Sequence, residues 1–491
     1  MTQSGTVTII AAIATFSAMA SGQQGATPVQ GAAGKAPANQ PVAAAAEDQH
    51  KAPAGAAPAS GASPTVPAAP EINSAQPAVP PTPRVAPAVS TEPPPVAPAV
   101  AVPLEPLPAV APAPEPPAEK PVGPSFKVYG FARLDAAYAS GRMQNIHFGL
   151  WALSPDANGD NGNYARELTI NPRWSRIGLD WDAGALGGES AKISAKIEMD
   201  FHGGGSESRA TPRMLQAYGQ VQMGDFTVLG GQAWDLYAPL MPGGMEQAIF
   251  WYGGNLGDRR PQLRLTYAPS FGPATLVIAG AAAQSGAVDM EDLDGNGVMD
   301  GNAWARPAGQ GLAEAKLKID ALGSKPLRFG ASGHYGGKTL FLAGSRRNFD
   351  VYAIVGHLEL PIQFITLRAE IWSGKNVNDL RGGIGQGIAL TDTNGDTIND
   401  TGRGIAASGG WVHASLTPVD WYSVTVGVGR DKIRDAVAGQ RSKNDTFDFA
   451  NVFTPWKPVK LGLVYNHYWT DYVSVRDASV HRFMMFTQVS F

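Results

Sequence analysis

Along Ala191–His202 (AKISAKIEMDFH), apolar Ile193, Ala195, Ile197, Met199 and Phe201 alternate with Lys192, Ser194, Lys196, Glu198, Asp200 and His202. A period of two places these sets on opposite faces of a strand, whereas a helix needs a period near 3.6. The alternation returns in Arg260–Tyr267 (RPQLRLTY), Leu312–Asp320 (LAEAKLKID) and Ile365–Trp372 (ITLRAEIW). Sixteen such runs begin near residues 126, 168, 190, 213, 225, 259, 274, 311, 327, 349, 363, 405, 421, 445, 459 and 479. An even number of alternating strands, each about ten residues long, predicts an all-β chain that closes into a 16-stranded antiparallel transmembrane β-barrel.

The intervals between the runs support this. Long ones (141–167, 203–212, 238–258, 285–310, 335–348, 373–404, 432–444) alternate with short ones such as Gly224-Asp225, Pro361-Ile362 and Pro455-Trp456. Long outer loops and short periplasmic turns produce that asymmetry, and a soluble sandwich gives no reason for it. The chain also stops inside a strand, Phe483–Phe491 (FMMFTQVSF), with phenylalanine last.

Composition divides the 491 residues into three zones. Thr6–Met19 is mildly apolar and runs into Ala18-Met19-Ala20, so residues 1–20 are expected to be a signal peptide. Residues 21–124 hold 26 of the 40 prolines and no aromatic residue. Such a stretch cannot bury a core and is expected to be a disordered, PPII-like Pro/Ala-rich periplasmic linker. Fully extended, it would reach on the order of 300 Å. Residues 125–491 carry 41 of the 42 aromatic residues and form the barrel domain. The net charge of −4 gives no electrostatic footprint for nucleic acid, and the absence of cysteine removes thiolate chemistry.

Several barrel segments carry a family resemblance. Phe126–Tyr138 (FKVYGFARLDAAY), Ser175–Trp181 (SRIGLDW), Ala195–Phe201 (AKIEMDF), Leu215–Val221 (LQAYGQV), Val228–Pro239 (VLGGQAWDLYAP) and Arg259–Tyr267 (RRPQLRLTY) resemble the DcaP-like trimeric porins of Gram-negative outer membranes. The match is best over residues 126–268. The resemblance implies a homotrimer embedded in outer-membrane lipid that admits small anionic organic acids.

A water-filled barrel needs polar residues on its inner face, and the alternation puts Arg133, Arg176, Arg260, Arg264 and Arg368 there. Clustered on one arc of the lumen, they would favour anions. The connection Ala238–Gly257 (APLMPGGMEQAIFWYGGNLG) is apolar and aromatic, with Glu246 its one charge. Exposed, it would be a large apolar patch. It is therefore expected to fold into the barrel as a constriction, with Glu246 facing Arg260 and Arg264.

Three outer loops have the oxygen-ligand spacing of calcium sites. The first has Asp156, Asn158, Asp160 and Glu167; the second Asp292, Asp294, Asn296 and Asp300; the third Asp392, Asn394, Asp396 and Asp400. The spacing makes calcium a candidate ligand of these loops, and no cofactor is otherwise required. The eight histidines show no zinc-hydrolase spacing, and neither G-x-S-x-G nor a phosphate-binding loop occurs, so no enzyme is expected. The reading is an outer-membrane porin for passive diffusion of small hydrophilic, anionic (carboxylate) solutes. The alternative is a structural anchor tied by the linker to the cell wall or a periplasmic partner.

Overall fold

The computed structural model describes residues 123–156, 165–184, 190–205, 208–243, 249–284, 305–393, 395 and 401–491. The expected signal peptide and nearly all of the expected linker lie outside the described residues.

Sixteen strands form one closed antiparallel sheet. They are β1 (Ser125–Ala139), β2 (two pieces, Glu167–Asn171 and Arg176–Asp182), β3 (Lys192–Asp200), β4 (Arg213–Met223), β5 (Phe226–Trp234) and β6 (Arg259–Tyr267). Then follow β7 (Ala274–Ala283), β8 (Ala305–Leu317), β9 (Leu327–Leu342), β10 (Ser345–Ile362) and β11 (Ile365–Lys375). The last are β12 (Ala406–Val419), β13 (Tyr422–Ile433), β14 (Arg441–Trp456), β15 (Val459–Tyr472) and β16 (Ala478–Ser490). Each strand pairs with its neighbours in sequence. The ring closes where β1 meets β16, from Phe131 opposite Ser490 to Ala139 opposite Arg482. Phe491 finishes the seam by exchanging backbone hydrogen bonds of 3.0 and 3.1 Å with Gly130.

The period-two pattern has its predicted consequence. On β16, Val480, Arg482, Met484, Phe486 and Gln488 are buried inside, while Phe483, Met485 and Val489 are exposed outside. On β1, Arg133 and Asp135 face in and Leu134 faces out. An open sheet with this face would expose its apolar side to water, whereas a barrel turns it towards lipid.

One interval differs from expectation. Residues 335–348 form no long loop, because β9 and β10 run on and meet at Ala343-Gly344, both at positive φ. The tip of this hairpin is rich in glycine and polar residues. Its backbone pairing and links such as Thr339 Oγ1 to Asn348 Oδ1 (2.7 Å) need no apolar alternation, so the periodicity did not reveal it. The 432–444 interval shrinks likewise, to 434–440. Two short ribbons decorate the long loops: Met143–Gln144 pairs with Trp151–Ala152, and Ile388–Thr391 pairs with Thr401–Gly404.

Candidate functional site

The loop between β5 and β6, described over residues 235–243 and 249–258, lies against the inside of the barrel wall. One carboxylate holds both of its ends. Asp235 Oδ1 accepts from Arg260 Nε (2.5 Å) and Gln310 Nε2 (2.8 Å), and its Oδ2 accepts from the Asp258 N–H (2.9 Å). Arg260 also donates to the Tyr237 hydroxyl (3.0 Å). The side chains of Asp235 and Arg260 are each only 1% exposed.

Farther along, the loop is hydrogen-bonded to the opposite wall. Its Leu240 N–H donates to Glu370 Oε1 on β11 (2.9 Å), and Trp372 Nε1 donates to Gly254 O (2.7 Å). Trp411 Nε1 on β12 donates to Asn255 Oδ1 (3.0 Å), and Asn444 Nδ2 on β14 donates to Tyr252 O (2.9 Å). Glycine makes this approach possible. Gly254 has φ +120°, and a Cβ there would overlap Gly410 O, while a Cβ on Gly429 would overlap Gly253 O. The apolar composition is thereby accounted for: Ile249, Trp251, Tyr252 and Leu256 pack with the inward-facing Val351, Val355 and Trp372 in one core.

Two further loops share that core. Val377, Leu380 and Ile384 of the 376–405 loop are wholly buried, and Leu380 O accepts from the Gly257 N–H (2.9 Å). Arg381 clasps Asp258 (Nε–Oδ2 2.7 Å) and lies over the Trp251 ring at 4.6 Å. Burial alone would raise the Asp258 carboxyl, but Arg381 and Arg259 beside it hold it below its ordinary value. From the 140–166 loop, Phe148 stacks on Trp251 at 5.9 Å. Arg482 of β16 fixes that loop by donating to Ile146 O (2.8 Å) and His147 O (3.1 Å).

With this packing against the β10–β14 wall, space remains beside β2–β6. A cavity of about 160 Å³ there is lined by Arg176, Arg213, Arg259, Glu198 and Gln216 on one side. Trp234, Met241, Ile249 and Trp251 line the other. A second cavity, about 370 Å³, opens towards the end holding Phe126, with Lys127, Asp180, Lys196 and Tyr218 in its wall. Tyr129 links the two: its hydroxyl accepts from Lys196 Nζ (2.7 Å) and donates to Glu198 Oε2 (2.9 Å).

The arginines singled out from the pattern stand in different settings. Arg133 is buried against Asp135 (2.8 Å) and lies over the Phe486 ring at 3.8 Å. Arg176 pairs loosely with Glu198 (3.5 Å) in the cavity wall, and Arg260 is the tie at the loop's root. Arg264 donates to Gln262 Oε1 (3.0 Å) and to Trp234 O. Arg368, on β11, pairs with Glu359 (3.2 Å). They do not form one arc: β1, β2 and β6 carry four of them, and β11 lies five strands beyond β6. Glu246 lies outside the described residues.

Two cavity arginines escaped the pattern. A bulge leaves Leu215 unpaired, since Glu198 faces Gln216 while Met199 faces Met214. The extra residue shifts the phase, so odd-numbered Arg213 and even-numbered Gln216 both line the lumen. Arg259 sits at the very start of β6, stacked over Trp234 at 3.8 Å, against the parity of Arg260 and Gln262. The Arg259-Arg260 doublet at a strand end was the available signal.

Of the proposed calcium ligands, Asp156 meets Arg476 (3.4 Å), and Glu167 Oε2 accepts from the Met143 N–H (3.1 Å). Asp392 Oδ1 accepts from the Gly395 N–H (2.7 Å). Asn158, Asp160, Asn394, Asp396, Asp400 and the whole set Asp292, Asp294, Asn296 and Asp300 lie outside the described residues.

No family model matches this sequence, and no curated protein matches it. Solved structures do. The outer membrane channel DcaP of Acinetobacter baumannii superposes with TM-score 0.55 at 18% identity, covering 75% of this chain and 98% of the other. An anion-selective porin from Comamonas acidovorans gives 0.46 at 13% identity, over 75% and 100% of the two chains. Pseudomonas putida OprB gives 0.46 at 10%, over 75% and 94%. The barrel that the strand pattern predicts, closed at β1 and β16, is the fold of the DcaP outer membrane channel.

Proposed function

We propose that this chain is an outer-membrane porin that passes small hydrophilic anions, carboxylates foremost, by passive diffusion. The observation that supports it is how charge is layered in the wall of the smaller cavity. Arg213 is gripped from behind by Asp200 (3.0 and 2.6 Å), whose side chain is 0% exposed while that of Arg213 is 26% exposed. Arg176 and Glu198 form a looser pair in the same wall, 3.5 Å apart, with side chains 22% and 8% exposed. Asp200 fixes the Arg213 guanidinium with two hydrogen bonds, Glu198 stands beside that of Arg176, and both guanidinium groups line the cavity. A solute squeezing past the aromatic loop therefore meets donors suited to bidentate carboxylate binding.

Reversal potentials across planar bilayers in a potassium chloride gradient test this. The wild type should favour chloride, and Arg176→Ala with Arg213→Ala should remove most of that preference. Cation preference in the wild type, or an unchanged potential in the double variant, would overturn the reading.

Calcium binding by the outer loops belongs to the same proposal, with the loop at Asp292 first because it has glycine at the sixth position. Ordering a loop costs about 1–2 kcal/mol per residue, which a cation held by several oxygens partly offsets. Calcium should raise the protease resistance of 285–310, and Asp292→Ala with Asp294→Ala should abolish the gain. Equal cleavage with calcium and with a chelator would leave only acidic turns.

A further inference from the structure

The outward face of the last two strands carries two histidines that touch across a strand pairing. His467 on β15 and His481 on β16 are directly opposed in the register. Their ring centroids lie 3.9 Å apart, with planes 27° from parallel. The odd-numbered positions that hold them point away from the lumen, since Tyr468, Val480 and Arg482 on the other parity are buried. Below them on the same face come Tyr465 with Phe483 and then Leu463 with Met485. The pair therefore stands above the apolar band, near the outer connection 473–477. The other described histidines lie inside: His202, His334, His357 and His413 are buried, and His147 packs on His202 at 5.8 Å.

Each ring is already oriented through one nitrogen. His467 Nε2 bonds to Ser479 Oγ (2.8 Å), and His481 Nδ1 bonds to the Tyr465 hydroxyl (2.8 Å). Trp469 backs His467 at 3.6 Å, and Tyr465 lies nearly parallel to His481 at 6.0 Å. That leaves His467 Nδ1 and His481 Nε2, one donor atom from each strand. Two nitrogens each about 2.0–2.1 Å from one ion stand roughly 3–3.5 Å apart, a spacing this stack reaches with a small opening. A histidine that binds a metal through one nitrogen commonly gives its other N–H to a fixed oxygen, and both oxygens are in place here. The carboxylates of the same outer face are engaged elsewhere, Asp445 by Arg430 and Asp471 by Lys443 (2.8 Å).

We infer that His467 and His481 form a copper(II) site on the outer wall of the barrel. The two imidazoles supply the nitrogens, and water completes the coordination. Calcium and magnesium take oxygen ligands, whereas paired imidazoles suit a first-row transition ion, and copper(II) stands highest in that series. The ion clamps β15 to β16 and so stabilises the closed barrel in proportion to its occupancy. The inference is independent of what the lumen passes.

The test titrates copper(II) into the full chain, purified in detergent and stripped with a chelator, and reads electron paramagnetic resonance. One ion per chain with two nitrogen ligands is expected, together with a rise in the thermal midpoint. His467→Gln and His481→Gln should each remove the two-nitrogen signature and the thermal gain. Both positions face outward, so the barrel should still close. Tyr465→Phe with Ser479→Ala should weaken binding about tenfold by releasing the rings. His50→Gln should change nothing. A wild type without the two-nitrogen signal would overturn the inference, whatever the variants do. So would unchanged binding in either histidine variant, loss of binding in His50→Gln, or displacement of the copper by an equal concentration of calcium.

Discussion

Asp235→Ala should enlarge the single-channel conductance and lower the stability of the barrel by about 3–5 kcal/mol, the usual cost of stranding one partner of a buried ion pair. The carboxylate holds Arg260, Gln310 and the Asp258 N–H together, so its loss frees both roots of the inner loop at once. It also leaves Arg260, with a side chain 1% exposed, without its carboxylate. Asp235→Ala with Arg260→Leu separates the two consequences. Removing both charges should restore much of the stability but not the small conductance. A single variant with wild-type conductance and thermal midpoint would mean that the contacts farther along, at Glu370, Trp372 and Asn444, hold the loop without it.

Gly429→Val attacks the same loop from the far wall and should also enlarge the conductance. A Cβ there would meet Gly253 O and the Phe250 ring, so the loop has to leave its seat or the wall has to deform. Overpacking of this kind costs about 1–3 kcal/mol. Gly439→Val is the control: that glycine also lies near the outer end, and nothing stands within 4 Å of the position its Cβ would take. Its φ of +78° brings backbone strain, so the control should lose some stability but keep the wild-type conductance. Unchanged conductance for Gly429→Val would show that the glycine is not what seats the loop.

The barrel was legible because its cause is local. A strand between water and lipid must alternate, and period two survives any tertiary context that keeps the two solvents apart. The starts of β3, β6 and β11 could be read to within a few residues for that reason. The same rule failed at the extended tips of β9 and β10, where Leu340, Phe341 and Leu342 are apolar in succession and Leu340 and Leu342 are covered by Phe349 and Ile388 rather than divided between lipid and lumen. The loop's inward fold was legible from its apolar composition, since Phe250, Trp251 and Tyr252 had to find cover. The arginines were only partly legible. Alternation gives the face of a residue and neither its height nor its partner, so buried Arg133 and water-facing Arg176 looked alike. One unpaired residue, Leu215, was enough to hide Arg213.

The seam between β1 and β16 also determines when the molecule becomes whole. All other strand pairings join segments adjacent in sequence, so hairpins can form early and add one after another. Joining Arg133 to Gln488, 355 residues away, closes a loop whose entropic cost, about 5 kcal/mol by length alone, falls on a single step. Until that step two edges stand open, each ready to pair with a foreign strand. Phe491 and Gly130 are where that interval ends, and a chain lacking its last strand would remain in it.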